Sequence, residues 1–391
     1  MKNKKKKREN KILFYTRPII PPWDEASKNL AFNIAINLSK NKFQIGLLGL
    51  RKEPFNETIC QKNPDLKIDN IYTSSNLNLI NKIILLKRLF RFNLKTNLIH
   101  FLFTPRSLTS WLIRTRLKFS KVKTVQTVAT LNKKNYQNIR RLRKILFCDV
   151  IVVQSKNTLE KLTKIGIKKV KLIYPGIDLK KYRPAKKDLG LMKKLKIKSD
   201  DFIALYTGEY IRLKAIDDIM EALKILAKDK KNKNIKIILA CRIKSKKDQQ
   251  KKQAVAEWLE KEKLLSKIVF LDTFSEMNQL YNLSDINIFP VREMAGKFDI
   301  PLTLVESMAC GKPVIVSKLK NLKELVGKNN YGMICKVHDP KNLAEKINLI
   351  KNDKKLYNEI AFNALNFVKT NFDIKKNVKE YEKIYQKLIL K

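Results

Sequence analysis

The sequence predicts an α/β protein with two Rossmann-like, doubly wound domains. Short β-rich apolar runs alternate with segments of helical periodicity, and this alternation occurs in two series of similar length. A lysine-rich, weakly patterned stretch, 184–200, lies between the two series. Parallel strands joined by helices are the building block of doubly wound domains. Two such series therefore predict two domains that face each other across a cleft.

The first series follows a basic amino-terminal tail, residues 1–10, that is expected to be disordered. A helix is expected from Ser27, because apolar residues recur there at helical spacing. Ser155 is expected to cap a later helix that ends near Gly166. Residues 51–75 show no clear periodicity and are expected to be irregular. The predicted strands of this series are 11–16, 43–50, 98–103, 123–128, 149–153 and 170–173.

Basic and apolar residues are interleaved at several places in the first series. Residues 77–94 predict a basic amphipathic helix, and similar mixing occurs at 111–118 and 140–144. A helix of this kind either lies on a membrane surface or packs one face on the core and exposes its basic side to solvent. Together the three stretches predict one basic face on this half of the chain.

The second series is organised around residues 285–317, which predict a strand, a loop, a helix, a turn and a strand. Ligands of parallel α/β sheets lie at the carboxyl ends of strands, where a loop leads into a helix. The loop 290–300 and the first helical turn after Pro301 occupy that place. The strands expected in this series are 202–206, 235–240, 268–271, 286–289 and 314–316, and the helices are expected at 216–227 and 246–263 and from about residues 301, 340, 355 and 374.

The composition excludes several classes of protein. The chain has 391 residues, of which 44% are hydrophobic, and is long enough for two full cores. Its five cysteines form no Cys-x-x-Cys pair, so a reducing compartment fits better than a disulfide framework. Two histidines are too few for a His-built metal site, and there is no Asp-x-Asp pair to hold a metal ion and a phosphate. No metal site is therefore expected.

The net charge of +48 is extreme. Lysine, asparagine and isoleucine are all unusually frequent, as in proteins encoded by genomes rich in A and T, and this composition is one explanation of the high charge. The alternative explanations are that the charge attracts the protein to anionic lipid or to nucleic acid. Few apolar residues follow the basic start, so no signal peptide is expected. No run approaches the roughly 18 apolar residues that span a bilayer. We expect a cytoplasmic protein, either soluble or peripheral on the inner face of the membrane.

Three motifs, in this order and spacing, resemble those of the family 4 (group 1) glycosyltransferases of the GT-B fold. The first is a strand, a serine-capped helix and a P-x-G-x-D-x-x-x-[FY]-x-P signature, matched by Pro175, Gly176, Asp178, Tyr182 and Pro184. The second motif, YTGEYIRLKAIDDIMEAL, is similar to the family's G-R-x-x-x-x-K-G loop. The third motif, ESMACGKPVIVS, is similar to E-A-M-A-x-G-x-P-V.

The resemblance implies two domains with separate roles. The domain 201–372 would hold a nucleotide-sugar donor, and the domain 11–183 would hold a glycan, lipid-linked or cell-envelope acceptor. The last segment, 373–391, would pack back on the amino-terminal domain. The reaction implied is sugar transfer of the hexosyltransferase type, with retention of configuration and with neither metal nor other cofactor.

The family's diphosphate-binding loop is only partly matched. Gly208 and Lys214 fit the pattern, but Glu209 stands where the family has Arg. A carboxylate cannot bind phosphate, so Arg212 in the same loop is the expected substitute, because a diphosphate needs fixed cations. In this interpretation Arg212 and Lys214 are catalytic, since they stabilise the leaving group. The alternative is that both belong to a solvated loop in a very basic chain.

The family's Glu-x7-Glu pair is also incomplete. Its second member maps onto Glu306, and the resemblance implies that Glu306 binds the ribose hydroxyls of the donor. The alternative is that Thr303 and Glu306 form a capping box at the start of the helix. The first member falls on Phe298. Asp299 is the preferred replacement in the sugar-facing, catalytic role and Glu293 the second choice. Asp299 could instead cap the helix that follows Pro301.

The amino-terminal half departs further from the family. Ala129 stands where the family usually has a His. The sequence PPWDEASKN replaces the family's loop after the first strand, which contains a pair of glycines. Trp23, Asp24 and Glu25 in that loop are candidates for the acceptor entrance, although surface residues without a role fit equally well. His100 is expected to be structural.

Three alternatives remain at this stage. A nucleotide-sugar epimerase with the same fold is disfavoured, because such enzymes rely on a set of histidines and carboxylates and this chain has only two histidines. A nucleic-acid-binding protein is disfavoured, because aromatic residues are not interleaved with the basic clusters, and no nucleic-acid partner is expected. A degenerate member that binds a donor without transfer is consistent with Phe298 and Ala129.

Overall fold

The computed structural model describes residues 10–19, 26–38, 43–75, 78–90, 96–102, 106–131, 133–294, 297–327 and 330–390. They form two compact units. The described residues of Met1–Gly176 and Ile374–Lys391 make up the first unit, and those of Ile177–Asp373 make up the second.

A sheet of seven described strands, all parallel, forms the centre of the first unit, in the order β3-β2-β1-β4-β5-β6-β7. The strands are Asn10–Tyr15 (β1), Phe43–Leu50 (β2), Leu66–Tyr72 (β3), Leu98–Leu102 (β4), Lys123–Val128 (β5), Val150–Val153 (β6) and Val170–Leu172 (β7). The helices between them are Ala26–Asn37 (α1), Pro54–Lys62 (α2), Leu79–Phe90 (α3), Ser107–Leu117 (α4), Lys133–Tyr136 (α5), Ile139–Ile145 (α6) and Lys156–Lys164 (α7).

The central strands of this sheet are the apolar runs that the sequence predicts. Every residue of β4 is buried, as expected of a parallel strand covered on both faces. The predicted cap of α7 is confirmed, because Ser155 Oγ accepts a hydrogen bond of 3.1 Å from the amide of Thr158. The prediction that 51–75 is irregular is wrong, since this stretch contains α2 and β3. Only Leu66 and Tyr72 of β3 are buried, because the strand lies at the sheet edge and lacks an alternating pattern.

A sheet of six described strands, also parallel, forms the second unit, in the order β10-β9-β8-β11-β12-β13. The strands are Phe202–Glu209 (β8), Ile235–Arg242 (β9), Ile268–Leu271 (β10), Ile286–Phe289 (β11), Val314–Ser317 (β12) and Met333–Cys335 (β13). The α-helices are Leu189–Lys194 (α8), Ile216–Ala227 (α9), Lys246–Lys261 (α10), Met277–Leu283 (α11), Leu302–Ala309 (α12), Lys320–Val326 (α13), Pro340–Asn352 (α14) and Lys354–Asn371 (α15).

The predicted linker, 184–200, is part of the second unit. It contains α8, which begins where Asp188 Oδ1 accepts a hydrogen bond of 2.9 Å from the amide of Leu191. Leu191 and Met192 are buried in the same apolar cluster as Leu205 of β8. The chain therefore passes from the first unit to the second at Gly176, ahead of the predicted linker.

The last helix, Ile374–Ile389 (α16), belongs to the first unit. Its Tyr385 hydroxyl lies 2.7 Å from His100 Nδ1, and the other ring nitrogen of His100 lies 2.7 Å from Thr127 Oγ1. The Tyr381 hydroxyl lies 3.1 Å from the same Thr127 oxygen. Burial lowers the pKa of His100 to about 3, so its imidazole is neutral and joins β4 and β5 to α16. His100 is thus structural, as the sequence predicts.

Candidate functional site

Three neighbouring strands of the second sheet end at one edge and carry the candidate site. The strand β8 lies between β9 and β11, and all three run in the same direction. Glu209 is the last residue of β8 and Arg242 is the last residue of β9. The loop 290–300 follows β11. Since the carboxyl ends of parallel strands are the usual place for a ligand, the predicted loops lie where a ligand is expected to bind.

The loop after β8 and the loop after β11 are joined. The amide of Arg292 donates a hydrogen bond of 3.0 Å to the carbonyl oxygen of Leu213. Lys214 Nζ lies 3.2 Å from Glu293 Oε1. Lys214 has a φ of 54°, a left-handed conformation that side chains other than glycine seldom adopt. Such a conformation costs about 1 kcal/mol or more and is concentrated at functional sites.

The loop after β11 is also anchored to α9. Arg292 holds the carboxylate of Asp218 through two hydrogen bonds of 2.8 and 3.2 Å. His338 Nδ1 lies 3.0 Å from the same carboxylate. The Asp218 side chain is only 3% exposed, and the Arg292 and His338 side chains that contact it are 27% and 64% exposed. They fix the start of the loop that carries Glu293.

Glu209 is surrounded by cations. Its Oε1 lies 3.1 Å from Arg242 Nη2, 3.1 Å from Lys297 Nζ and 3.5 Å from Lys244 Nζ. Its Oε2 lies 3.7 Å from Nη1 of Arg212, the predicted substitute for the family's Arg. Burial acts to raise the pKa of Glu209, but the neighbouring cations, Lys297 first, outweigh it and hold the pKa below its ordinary value.

Glu306 lies in α12 and is held by two tyrosines. The Tyr281 hydroxyl donates a hydrogen bond of 3.0 Å to Glu306 Oε2, and Tyr182 provides a second hydrogen bond. Burial raises the pKa of Glu306 to about 7, although both tyrosines act to lower it. The capping box considered above does not form, because Pro301 and not Thr303 occupies the N-cap position of α12.

The first and third sequence motifs meet beside Glu306. A Cβ atom added to Gly311 would lie 3.4 Å from the Pro184 ring, and Gly311 has a φ of 73°. Asn282 Nδ2 donates a hydrogen bond of 3.1 Å to the carbonyl oxygen of Arg183. These contacts place Tyr182 next to Glu306. Tyr182 was visible in the sequence as a motif residue, whereas nothing in the sequence indicated Tyr281.

The two candidates for the missing first Glu lie in different surroundings. Asp299 is buried, and its Oδ1 accepts a hydrogen bond of 3.1 Å from Asn321 Nδ2 of α13. Glu293 is half-buried, with a side chain 42% exposed, and it pairs with Lys214. Phe298 itself is half-buried. The structure therefore brings Glu293, and not the preferred Asp299, to the predicted cation of the loop.

Other predicted residues fall outside this cluster. Trp23, Asp24 and Glu25 lie outside the described residues. Gly208 is in β8, where an added Cβ atom would lie 2.5 Å from the Tyr206 hydroxyl, so a side chain would not fit without rearrangement. Within the described ranges no three His, Cys, Asp or Glu side chains come together in a way that could hold a metal ion.

The family described as "Glycosyl transferases group 1" matches residues 190–367. The two parallel sheets with interleaved helices match the fold of GT-B glycosyltransferases. The second unit therefore carries a group 1 glycosyltransferase domain over most of its length, in agreement with the motifs.

Two curated relatives are similar to this chain in sequence. An uncharacterized glycosyltransferase of Methanocaldococcus jannaschii is 30% identical over 237 residues, which cover 58% of this chain and 54% of the relative. The N,N'-diacetylbacillosaminyl-diphospho-undecaprenol alpha-1,3-N-acetylgalactosaminyltransferase of Campylobacter jejuni is 26% identical over 251 residues, 62% of this chain and 61% of the relative. The chain therefore spans between half and two thirds of the length of these relatives.

A solved structure shares the fold over nearly the whole chain. HepE of Anabaena, crystallised in complex with UDP and glucose, aligns with a TM-score of 0.75 at 18% identity. The alignment covers 97% of this chain and 100% of that one. At this level of identity the likeness supports the fold.

Proposed function

We propose that the protein is a retaining glycosyltransferase that moves a sugar from a nucleotide-sugar donor to a glycan, lipid-linked or cell-envelope acceptor. The observation that carries the proposal is Glu306, a partly buried carboxylate held by Tyr281 and Tyr182 in the motif that the family shares. A carboxylate fixed in this way can accept hydrogen bonds from the two hydroxyls of a ribose.

The remaining donor contacts are assigned from the same edge of the sheet. Lys214 and Arg212 would bind the diphosphate, and the amino-terminal turn of α12 after Pro301 would add backbone N–H groups. Glu293 is the better placed of the two carboxylates for a sugar-facing role, because it lies 3.2 Å from Lys214. Asp299 then keeps the loop in place through Asn321.

The proposed mechanism relies on positioning and electrostatics. An acceptor hydroxyl attacks the anomeric carbon on the face from which the diphosphate leaves, and a phosphate oxygen of the leaving group takes its proton. Fixed cations stabilise the negative charge that develops on that diphosphate. The proposal assigns no step to a metal ion or another cofactor.

A donor panel tests the transfer. Nucleotide sugars with different bases and sugars are incubated with the wild-type protein and with Glu306→Ala, and both hydrolysis and transfer to glycan or lipid-linked acceptors are measured. Wild-type turnover that falls at least about tenfold in Glu306→Ala is expected, because a charge-assisted hydrogen bond is lost. The control is Glu345→Ala, which removes an exposed carboxylate of α14.

Two outcomes of the panel would contradict the proposal. Donor binding without turnover for any donor and acceptor pair would mean a degenerate member of the family, for which Phe298 gives a reason. Equal losses in Glu306→Ala and Glu345→Ala would remove Glu306 from the donor site.

We further propose that the first unit rests on an anionic membrane surface when the acceptor is lipid-linked. The proposal depends on an apolar-basic face formed by the neighbouring helices α3 and α4. Leu79 is 72% exposed and Trp111 is 60% exposed. Other exposed residues of this face are Ile80, Ile83, Leu108, Lys82, Lys87 and Arg114. Exposed apolar side chains can enter the lipid interface, while each nearby cation gains about 1 kcal/mol at an anionic surface.

No described helix is both long enough and apolar enough to cross a bilayer, so surface binding is the form of membrane association to test. Sedimentation with vesicles of phosphatidylcholine alone, or mixed with phosphatidylglycerol, is measured at about 0.15 M salt. Binding to the mixed vesicles only is expected, and it should weaken in Trp111→Ser but not in Phe362→Ser, an exposed aromatic residue of the second unit. Equal sedimentation with both vesicles, or none, would remove the membrane from the proposal.

A further inference from the structure

A groove on the surface of the second unit is separate from the residues assigned to the nucleotide sugar. Its volume is about 430 Å³, which falls within the range of about 300–1,000 Å³ that is usual for small-molecule sites. One lining residue comes shortly before β13, and the other five belong to α15. The lining residues are Tyr331, Asn363, Asn366, Phe367, Thr370 and Asn371.

The five residues of α15 form one stripe along the helix, because they follow the spacing i, i+3, i+4, i+7 and i+8. The buried face of α15 is a different one, made of Ile360, Ala364 and Val368. The stripe carries three asparagines, a threonine and a phenylalanine. Asparagine is a weak helix former, so helix stability by itself does not favour three of them on one stripe.

Two aromatic rings take part in the lining of the groove. The rings of Tyr331 and Phe367 are stacked, with their centroids 4.3 Å apart and their planes 11° from parallel. The Phe367 ring also packs against the ring of Phe372, which is fully buried. Tyr331 and Phe367 are each half-buried, so the two rings are held in place and still present apolar surface to a ligand.

The rest of the lining can both donate and accept hydrogen bonds. Each asparagine side chain has an acceptor oxygen and two donor N–H groups. The Thr370 hydroxyl donates a hydrogen bond of 2.9 Å to the carbonyl oxygen of Asn366, and a hydroxyl oxygen that donates can also accept. Sugar hydroxyls have the same double capacity, while the C–H groups of a sugar ring are apolar and can pack on an aromatic ring.

The charge of the lining narrows the class of ligand. None of the described residues that line the groove is charged, although charged residues make up 31% of the chain. An anionic ligand would therefore gain no charge-assisted hydrogen bond from these side chains. The lining thus favours a neutral ligand with many hydroxyl groups.

We propose that this groove binds a neutral segment of a glycan, with a sugar ring packed on Tyr331 and Phe367 and with its hydroxyls bonded to the amides of Asn363 and Asn366. The inference rests on the proposed function for the source of the glycan, which is the acceptor or the product of sugar transfer. Binding at this groove holds a long glycan to the protein independently of the donor. Its effect on transfer is therefore greater for long acceptors than for short ones.

The test is a panel of immobilised neutral oligosaccharides of glucose, galactose, mannose and N-acetylhexosamines, probed without donor at about 0.15 M salt. Wild-type protein is expected to bind at least one neutral member. The affinity should fall several-fold in Asn366→Ala and in Tyr331→Ala, since one loses an amide contact and the other loses ring surface. Asn366 is exposed, so Asn366→Ala is expected to fold normally. No binding to any neutral member would overturn the inference.

The matched control is Asn358→Ala, which removes an exposed asparagine of the same helix that does not line the groove. Its affinity for the oligosaccharides should equal that of wild type, whereas an equal loss in Asn358→Ala and Asn366→Ala would contradict the groove as the site. Tyr331→Phe keeps the ring and should bind more tightly than Tyr331→Ala.

Heparin, an anionic glycan, serves to separate the groove from the charge of the chain. The net charge of +48 should bind heparin regardless of the groove, so Asn366→Ala is expected to bind it as wild type does. If Asn366→Ala loses heparin and neutral oligosaccharides to the same extent, the groove has no preference for neutral glycans and the inference fails.

The groove and the transferase can fail separately. Sugar transfer together with equal oligosaccharide binding in wild type, Asn366→Ala and Tyr331→Ala overturns the groove and leaves the transferase intact. Oligosaccharide binding that depends on Asn366 and Tyr331, without turnover of any donor, supports the groove and overturns the transferase.

Discussion

The Tyr281 hydroxyl donates a hydrogen bond of 3.0 Å to Glu306 Oε2, and this contact links α11 to the proposed ribose-binding carboxylate of α12. Burial raises the pKa of Glu306 to about 7, and the hydrogen bond from Tyr281 opposes that effect by favouring the charged form. The charge of Glu306 near neutral pH therefore depends on a hydroxyl that belongs to a different helix.

Tyr281→Phe should move the pH dependence of transfer. Without the hydroxyl, the pKa of Glu306 rises above about 7, so the acid limb of the kcat/KM profile is expected to shift to higher pH. The donor KM at pH 7 should rise several-fold. Tyr357→Phe is the control, because it removes a hydroxyl that contacts the carbonyl oxygen of Asp285. An acid limb that stays in place in Tyr281→Phe would contradict the role given to Tyr281.

Glu306→Gln should change stability in a pH-dependent way. The folded pKa of about 7 is above the ordinary value of 4.5, so the folded state favours the protonated form. Below pH 4.5 the carboxyl is protonated in both states and costs nothing, whereas above pH 7 its ionisation destabilises the fold by up to about 3 kcal/mol. The variant should thus be more stable than wild type at pH 8 and nearly equal at pH 4. Urea unfolding at both values measures this, and a constant difference would refute it.

The fold was largely predictable because buried parallel strands are continuous apolar runs. The predicted strands 43–50 and 286–289 coincide with β2 and β11, in which most residues are apolar. The edge strand β3 was missed because a half-exposed strand needs no such run. The helix α8 was missed because lysines cover its solvent side and only Leu191 and Met192 are buried.

The site was less predictable, since its partners come from separate segments. Glu306 and Lys214 could be proposed from the sequence because each lies in a local motif. The partners of Glu209 could not be found in this way, because Arg242 and Lys297 are 33 and 88 residues away along the chain. From the sequence alone, Glu209 was visible only as a departure from the arginine of the family's loop motif.

Tyr385→Phe should destabilise the first unit. The substitution removes the hydroxyl that lies 2.7 Å from His100 Nδ1, so this buried nitrogen loses its partner. An unsatisfied buried polar atom costs about 1–3 kcal/mol of folding free energy. A lower urea midpoint is expected. Tyr331→Phe, which alters a ring of the second unit stacked on Phe367 at 4.3 Å, is the control. Equal midpoints for Tyr385→Phe and wild type would contradict the importance of the His100 contacts.

Gly176→Ala should also destabilise the first unit, for a steric reason. The added Cβ atom would lie 2.6 Å from Ile374 Cα, and backbone cannot move aside as a flexible side chain can. Overpacking of this kind costs about 1–3 kcal/mol. Thermal unfolding followed by circular dichroism should show a lower midpoint. Gly190→Ala in α8, where the new atom meets only the Asp188 carboxylate at 3.2 Å, should have a much smaller effect. Comparable midpoints for the two variants would exclude the steric explanation.

The position of α16 has a consequence for synthesis on the ribosome. The first unit is built from residues at both ends of the chain, and Tyr381 and Tyr385 cover His100 in its interior. Domains generally fold in order of their synthesis, with the amino-terminal one first. Here the seven-stranded sheet emerges early but lacks α16 until the whole second unit has been translated. The nascent first unit therefore exposes His100 and its apolar surroundings throughout that interval, and chaperone binding should be greatest before α16 leaves the exit tunnel.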